Sequence, residues 1–250
     1  MNFYVHQLRD YAIGNFINCT PVLQTLSAYY GERIPVFFDT KVVSDMMLNA
    51  SFIKPITSKP NRICLFNSSL RNMEMPDWQY IHKTICNKLN IPTPKVIPHT
   101  YVDKVDTIKT VINKPFACIA NGCAGTYWKE KKDPGEDIYL HICKKIHETG
   151  RDIVFIGSDK EKHKLENMRN KLGYGTLVLN DIRESLGLLS KCDFLVANDT
   201  GMYHAASALN TRAFVLWKDT PFIKNKSPCI NITYSQKGTW SYDFNRWFKF

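Results

Sequence analysis

The sequence predicts an α/β protein of two Rossmann-like domains facing a central cleft, and three observations predict it. Short strand-like apolar runs alternate with amphipathic helices as far as residue 217, the pattern of parallel sheets covered by helices. A proline-rich stretch of weak periodicity, "IPTPKVIPHTYVDKVDTIKTVINK" (91–114), interrupts the alternation and reads as a linker. The second half then repeats the architecture of the first, so the expected domains are residues 1–105 and 106–250. Open α/β sheets bind ligands outside the carboxyl ends of their strands, which makes the loops there the places to look for chemistry.

Each element has a local reason. "MNFYVHQL" is a strand, "NFINCTPVLQTLSAYYG" an amphipathic helix closed by Gly31, and "IPVFF" a strand. "SDMMLNA" fits a short helix with Ser44 as its N-cap, and "RICLFN" is the third strand. "PDWQYIHKTICNKLNI" is a helix, with Pro76 at its start and Trp78, Ile81, Ile85 and Leu89 at helical spacing. Beyond the linker, "PFACIANG" is a strand running into a glycine loop, "EDIYLHICKKIHETG" a helix with Gly150 as its C-cap, and "DIVFIGS" a strand. The helices "EKHKLENMRNKLG", "DIRESLGLLSKC" and "GMYHAASALN" then alternate with the strands "TLVLN", "DFLVAND" and "RAFVLW".

With 250 residues, 44% hydrophobic and 22% charged, the chain is composed like a globular protein with a real core rather than a disordered one. No window approaches the roughly 18–20 uninterrupted apolar residues of a membrane-spanning helix. Charges in "MNFYVHQLRDYAIGNF" fall where a secretory leader needs its apolar segment, so a cytoplasmic protein is expected. The eight cysteines include no CxxC and no Cys/His pair of zinc-site spacing; several lie in apolar runs such as "FACIA", as reduced core thiols do. A formal net charge of +10 favours an anionic partner: a nucleotide, a phosphorylated glycan, an anionic membrane surface touched peripherally, or nucleic acid.

In "VANDTGMYHAASALNTRAFVLW" (196–217) a strand delivers Asp199 to its carboxyl end, and a helix starts at Thr200 or Gly201. Helix N-termini carry unpaired N–H groups and partial positive charge, which suits phosphate. Gly201 admits close backbone approach, Thr200 adds a hydroxyl, and His204 lies in the first turn; plain helix capping explains the same residue types. Two further strand-end loops support a ligand site. "ANGCAGTYWKEKKDP" supplies Gly122, Gly125, Thr126 and three lysines, and "IGSDKE" supplies Glu161. None matches GxGxxG or the GxxxxGK[ST] phosphate loop, so dinucleotide and P-loop readings lose their support.

These segments resemble glycosyltransferase family 9, the heptosyltransferase group. "NDTGMYHAASALNTRAFVLW" is similar to its DTGxxH signature, and "IANGCAGTYWKEKKDP" to its glycine loop with a lysine before a proline-led helix. "FIGSDKE" is similar to its strand, glycine and acid, and "RDYAIGNFINCTPVLQTL" to its RxxxIGD segment. The resemblance implies a GT-B fold, a nucleotide sugar bound mainly by the C-terminal domain, and no metal. It further implies that Thr200, Gly201, Thr126 and Lys131 hold the diphosphate, that Glu161 faces the ribose or base, and that Asp199 and His204 lie near the donor sugar. Lys131 stands at the family's spacing before Pro134, with Lys129 and Lys132 as close competitors. Without a metal, the charge developing on the leaving diphosphate needs such donors.

One position departs from the pattern: the acid of the IGD segment is Asn15 here, and an amide cannot take the acceptor's proton. Asp10 is the candidate substitute, beside the readings that the acceptor needs little help or that the protein binds donor without efficient transfer. His6 is another, although a lone histidine in an apolar strand is more often structural. The expected activity is sugar transfer to a saccharide such as lipopolysaccharide core; the alternatives are a bacteriophage-type transferase acting on hydroxymethylated DNA bases, and a non-catalytic nucleotide-sugar-binding protein.

Overall fold

In the computed structural model of the chain, the residues described are 3–7, 13–60, 63–67, 74–122 and 130–249. The chain divides into two compact units, Met1–Asp103 with Pro221–Pro228, and Lys104–Thr220 with Cys229–Phe250.

The first unit holds strands β1 (Phe3–Gln7), β2 (Ile34–Phe38), β3 (Ile53–Ile56) and β4 (Ile63–Asn67), all parallel, in the order β3-β2-β1-β4. Its helices are α1 (Ile13–Ile17), α2 (Thr20–Tyr30), α3 (Lys41–Asp45) and α4 (Asp77–Lys88). The single helix expected over 15–31 is therefore two. Pro21 has no N–H to give the Ile17 carbonyl, which instead accepts the Thr20 hydroxyl at 2.7 Å, and the helix restarts with Pro21 in its first turn. Gly31 closes α2 at φ 68°, the left-handed geometry that a helix C-terminus favours in glycine. The helix expected from Ser44 begins earlier, at Lys41; Ser44 lies inside it and its hydroxyl donates back to the Lys41 carbonyl. Strand β3, "IKPI", gave no sequence signal because Lys54 and Pro55 break its apolar run; proline is tolerated there because β3 is an edge strand.

The linker has neither helix nor strand from residue 91 to 115 and is held by side chains instead. Gln24 Nε2 donates to the His99 carbonyl at 2.8 Å and the Tyr101 N–H to Thr20 Oγ1 at 2.7 Å. Further on, the Lys109 and Thr110 amides donate to the Glu184 carboxylate at 2.8–3.1 Å. Burial alone would raise the Glu184 carboxyl; these amide donors outweigh it and leave its pKa lowered.

The second unit holds β5 (Phe116–Ala120), β6 (Asp152–Gly157), β7 (Thr176–Leu179), β8 (Phe194–Asn198), β9 (Ala213–Trp217) and β10 (Ile232–Gln236), parallel, in the order β10-β9-β8-β5-β6-β7. Its helices are α5 (Glu136–His147), α6 (Lys162–Leu172), α7 (Ile182–Lys191), α8 (Gly201–Ala208) and α10 (Trp240–Phe248); α9 (Phe222–Asn225) lies in the stretch that returns to the first unit. Helix α5 ends before Gly150, which takes φ 81° in the following turn rather than capping it. The core packs Ile119, Phe155, Val196 and Phe214 of the sheet against Tyr139, Ile142, Leu165, Met168 and Phe244 of the helices. Strand β10 and helix α10 complete this unit beyond the last element expected from sequence.

The described cysteines form no disulfide; Cys19, Cys86, Cys118, Cys143 and Cys229 are buried, and burial pushes the Cys118 and Cys143 thiols up. Among the described residues, no helix is long and apolar enough to cross a membrane.

Candidate functional site

The strand order of the second sheet reverses between β5 and β8. The chain leaves β5 toward β6 on one side and leaves β8 toward β9 on the other, which makes the carboxyl ends of these two central strands a switch point, the place where open α/β sheets bind ligands. Asn121 and Gly122 follow β5, and Asp199 and Thr200 follow β8.

The end of the β5 loop is tied down by its backbone. Residues 130–132 form a helical turn whose three successive carbonyls each accept a hydrogen bond from the β8 and β9 ends. Lys218 Nζ donates to the Glu130 carbonyl at 2.6 Å, the Asp219 N–H to Lys131 at 3.0 Å, and Asn198 Nδ2 to Lys132 at 2.9 Å. That anchoring aims the Lys132 side chain inward. Its Nζ lies 2.9 Å from Asp199 Oδ2, an oxygen that also accepts the Thr220 hydroxyl at 2.9 Å. The Asp199 side chain is 3% exposed and that of Lys132 20%, so the buried carboxylate is compensated by an ammonium that keeps some access to solvent. Thr220 is held in turn by Trp217, whose indole Nε1 donates to its carbonyl at 2.8 Å.

Thr200 caps α8: its backbone is extended and its Oγ1 accepts the Met202 N–H at 3.1 Å, leaving the hydroxyl proton for another acceptor. Gly201 is the first helical residue, at the positive end of the helix. His204 is buried beside the Tyr203 ring, with centroids 4.2 Å apart.

On the other flank, Glu161 folds back at the start of α6. Its Oε2 accepts both the N–H of Ser158, at 3.0 Å, and the Ser158 hydroxyl. Its stem lies against Gly122: a Cβ at that glycine would stand 2.7 Å from Glu161 Cγ, so only glycine admits this placement. Lys164 Nζ joins Asp133 Oδ2 at 2.6 Å and Asn121 Oδ1 at 2.9 Å, binding the two ends of the β5 loop together. Asp133 Oδ1 accepts the Gly135 N–H at 2.9 Å.

The structure therefore brings Glu161, Asp199, Thr200, Gly201 and His204 to one sheet edge. Lys131 is exposed and presents its carbonyl to Asp219, while Lys132 is the lysine seated on Asp199. Thr126 and Asp10 lie outside the described residues. Sequence reading missed Lys164, Ser158 and Thr220; the first two lie in the short basic stretch "SDKEKHK" (158–164), and nothing local marked Thr220. Among the described residues no group of three or more His, Cys, Asp or Glu side chains could hold a metal.

In the first unit, Asn15 is half-buried on α1, next to Phe16, whose ring meets Phe38 at 5.3 Å at the carboxyl end of β2. At that same edge His6 Nε2 lies 3.0 Å from Asp39 Oδ2.

Comparison with curated protein sequences finds no match. The sequence model of glycosyltransferase family 9 (heptosyltransferase) matches residues 80–243. Among solved structures, the fold is similar to a family 9 glycosyl transferase of Veillonella parvula, with 11% identity, a TM-score of 0.75, and coverage of 99% of this chain and 89% of that one. It is equally similar to ADP-heptose LPS heptosyltransferase II of E. coli, with 13% identity, a TM-score of 0.75, and coverage of 100% and 98%. E. coli heptosyltransferase WaaC with ADP-2-deoxy-2-fluoro heptose follows, with 10% identity, a TM-score of 0.72, and coverage of 98% and 99%. Two parallel sheets, a switch-point site and the family match over 80–243 agree, and the chain belongs to glycosyltransferase family 9, as a glycosyltransferase of the GT-B fold.

Proposed function

We propose that the chain transfers a sugar from a nucleotide-diphosphate sugar to a hydroxyl of a saccharide acceptor, without a metal ion. The observation that carries this reading is the second sheet's switch point, where a capped helix N-terminus and a lysine seated on a buried carboxylate stand side by side. Glycosyl transfer leaves negative charge on the departing diphosphate. The α8 N–H groups, the Thr200 hydroxyl, Gly201 and Lys132 supply fixed positive ends for it and need no reorganisation as the bond breaks, and Lys131 and Thr126 are the further donors proposed for the diphosphate. Glu161, held by Ser158, accepts hydrogen bonds from the ribose, and His204 flanks the donor sugar. Asp199 acts by orienting Lys132 and Thr220.

The donor proposed first is an ADP-sugar of the heptose kind, after the ligands of the similar structures. The net charge of +10 supports an anionic acceptor such as a phosphorylated core glycan, and also keeps hydroxymethylated DNA in view. The test incubates the full chain with ADP-heptose in EDTA, with lipopolysaccharide core or hydroxymethylated duplex DNA as acceptor, and weighs the products by mass spectrometry. A mass gain of one sugar on the glycan supports the reading; gain on DNA alone reassigns the acceptor, and activity only after Mg²⁺ or Mn²⁺ is added contradicts the metal-free mechanism.

A further inference from the structure

Donors stabilise a departing diphosphate without rearranging only while the backbone that carries them is held still. The ends of β8 and β9 hold the 130–132 turn from one side, through Lys218, Asp219 and Asn198. The start of α6 holds the same loop from the side of β6. Glu161 and Lys164, three residues apart and so on one face of the helix start, each reach back to the end of β5. The Glu161 stem lies against Gly122, and Lys164 Nζ meets Asn121 Oδ1 at 2.9 Å and Asp133 Oδ2 at 2.6 Å. One ammonium thus joins the residue that leaves β5 to the residue that follows Lys132.

We propose that Lys164, with Asp133, is a positioning residue for the diphosphate: the clasp holds the segment that carries Lys131 and Lys132 in place, and neither partner touches the ligand. Each end of the clasp is itself fixed. Asn121 is 1% exposed and its Nδ2 lies 3.7 Å from Met168 Sδ, while the carbonyl of the preceding Ala120 accepts the Tyr139 hydroxyl at 3.3 Å. Asp133 Oδ1 accepts the Gly135 N–H at 2.9 Å, which ties the other end to the residue that precedes α5. The side chains of Lys164 and Asp133 are each 25% exposed, shielded enough from water to strengthen the pair. Charge decides the role. Two of the ammonium's three donors go to Asn121 and Asp133, and the Asp133 carboxylate cancels its charge, so Lys164 adds no net positive field for a phosphate. Its contribution is to close the loop at its neck, which removes conformations in which Lys131 and Lys132 point elsewhere.

The inference rests on the reading above, in which this loop faces the diphosphate, and its test separates the two. Affinities of the full chain for ADP and for adenosine are measured by calorimetric titration in EDTA, with urea melts alongside, for wild type, Lys164→Met, Asp133→Asn and the double variant. The expected result is a fall of about tenfold in ADP affinity in each single variant, with adenosine affinity unchanged, and no further fall in the double variant, because either change opens the same clasp. A lysine that bound phosphate directly would behave differently: Asp133→Asn would uncover its charge and raise the affinity for ADP. Such a rise, additive losses in the double variant, or wild-type ADP affinity in a folded single variant overturns the proposal. Equal falls for ADP and adenosine overturn it too, since they mark a merely structural pair; should Lys164→Met fail to fold, Asp133→Asn decides alone. A wild-type chain that binds ADP no more tightly than adenosine overturns the diphosphate seat itself and this proposal with it.

Discussion

The carboxyl edges of the two sheets differ in the kind of polar contact that the described residues make there. At the second edge, three consecutive carbonyls, the Lys132–Asp199 and Lys164–Asp133 ion pairs and a capped helix start lock the ends of β5, β8 and β9. At the first edge the contacts include the Gln7–Thr40 clasp, the Asp39 N–H on the Gln7 carbonyl and the His6–Asp39 contact. A locked edge suits a ligand whose diphosphate is constant, because preorganised donors stabilise charge without rearranging.

The strongest way to break this contrast is to unlock the second edge. Lys132→Met leaves the Asp199 carboxylate buried with the Thr220 hydroxyl, and losing one partner of a buried pair costs about 3–5 kcal/mol. Urea melts should show that loss, and the double variant Lys132→Met with Asp199→Asn should recover part of it. His6→Gln, at the first edge, removes a partly exposed contact and should lose far less in the same melts; equal losses would erase the distinction.

Lys131→Ala sharpens the comparison by separating affinity from stability. Lys131 is exposed, so the fold should hold while affinity for ADP, measured by titration, falls about 10–100-fold through a lost charge-assisted contact. Unchanged affinity would give the phosphate contact to Lys132 or Lys129. Gly122→Ala should act more mildly, at about tenfold in ADP affinity, because its Cβ displaces the Glu161 stem from 2.7 Å; a matching fall for a ligand without ribose hydroxyls would show the effect to be indirect.

The smallest expected effect lies away from both edges. Asp181 caps α7 by accepting the Glu184 N–H at 2.9 Å, and that backbone hydrogen bond, with Lys109 close by, lowers its pKa. A depressed carboxyl contributes stability that is present above its ordinary pKa of 3.8 and is lost as pH falls through the lower folded value. Asp181→Ala should cost about 1 kcal/mol at neutral pH and flatten the acid limb of the stability curve. An unchanged acid limb would assign that limb to Glu184.

Most of the second sheet was legible because its strands are buried on both faces and read as unbroken apolar runs, "FLVAN" and "AFVLW" among them. Strand β10 and helix α10 were missed although a signal existed: Trp240, Phe244, Trp247 and Phe248 recur at helical spacing, and Phe244 is fully buried. Strand β3 left little signal. The described candidate residues that follow strands in sequence lie at the sheet edge as expected; Thr220 and the Lys132–Asp199 pairing depend on which loops the strand order makes neighbours, which no local pattern encodes. The nearness of Asp39 to His6 was hidden for the same reason, since Asp39 lies just beyond the neighbouring strand.

The central claim is that the carboxyl edge of the second sheet is a metal-free seat for a nucleoside diphosphate. Calorimetric titration of the full chain with ADP and with adenosine, both in EDTA, tests it most directly. The account predicts that ADP binds at least about tenfold more tightly than adenosine, through charge-assisted contacts to the diphosphate, and that the gap narrows as salt rises. Equal affinities, or ADP binding that emerges only when Mg²⁺ is supplied, would contradict it.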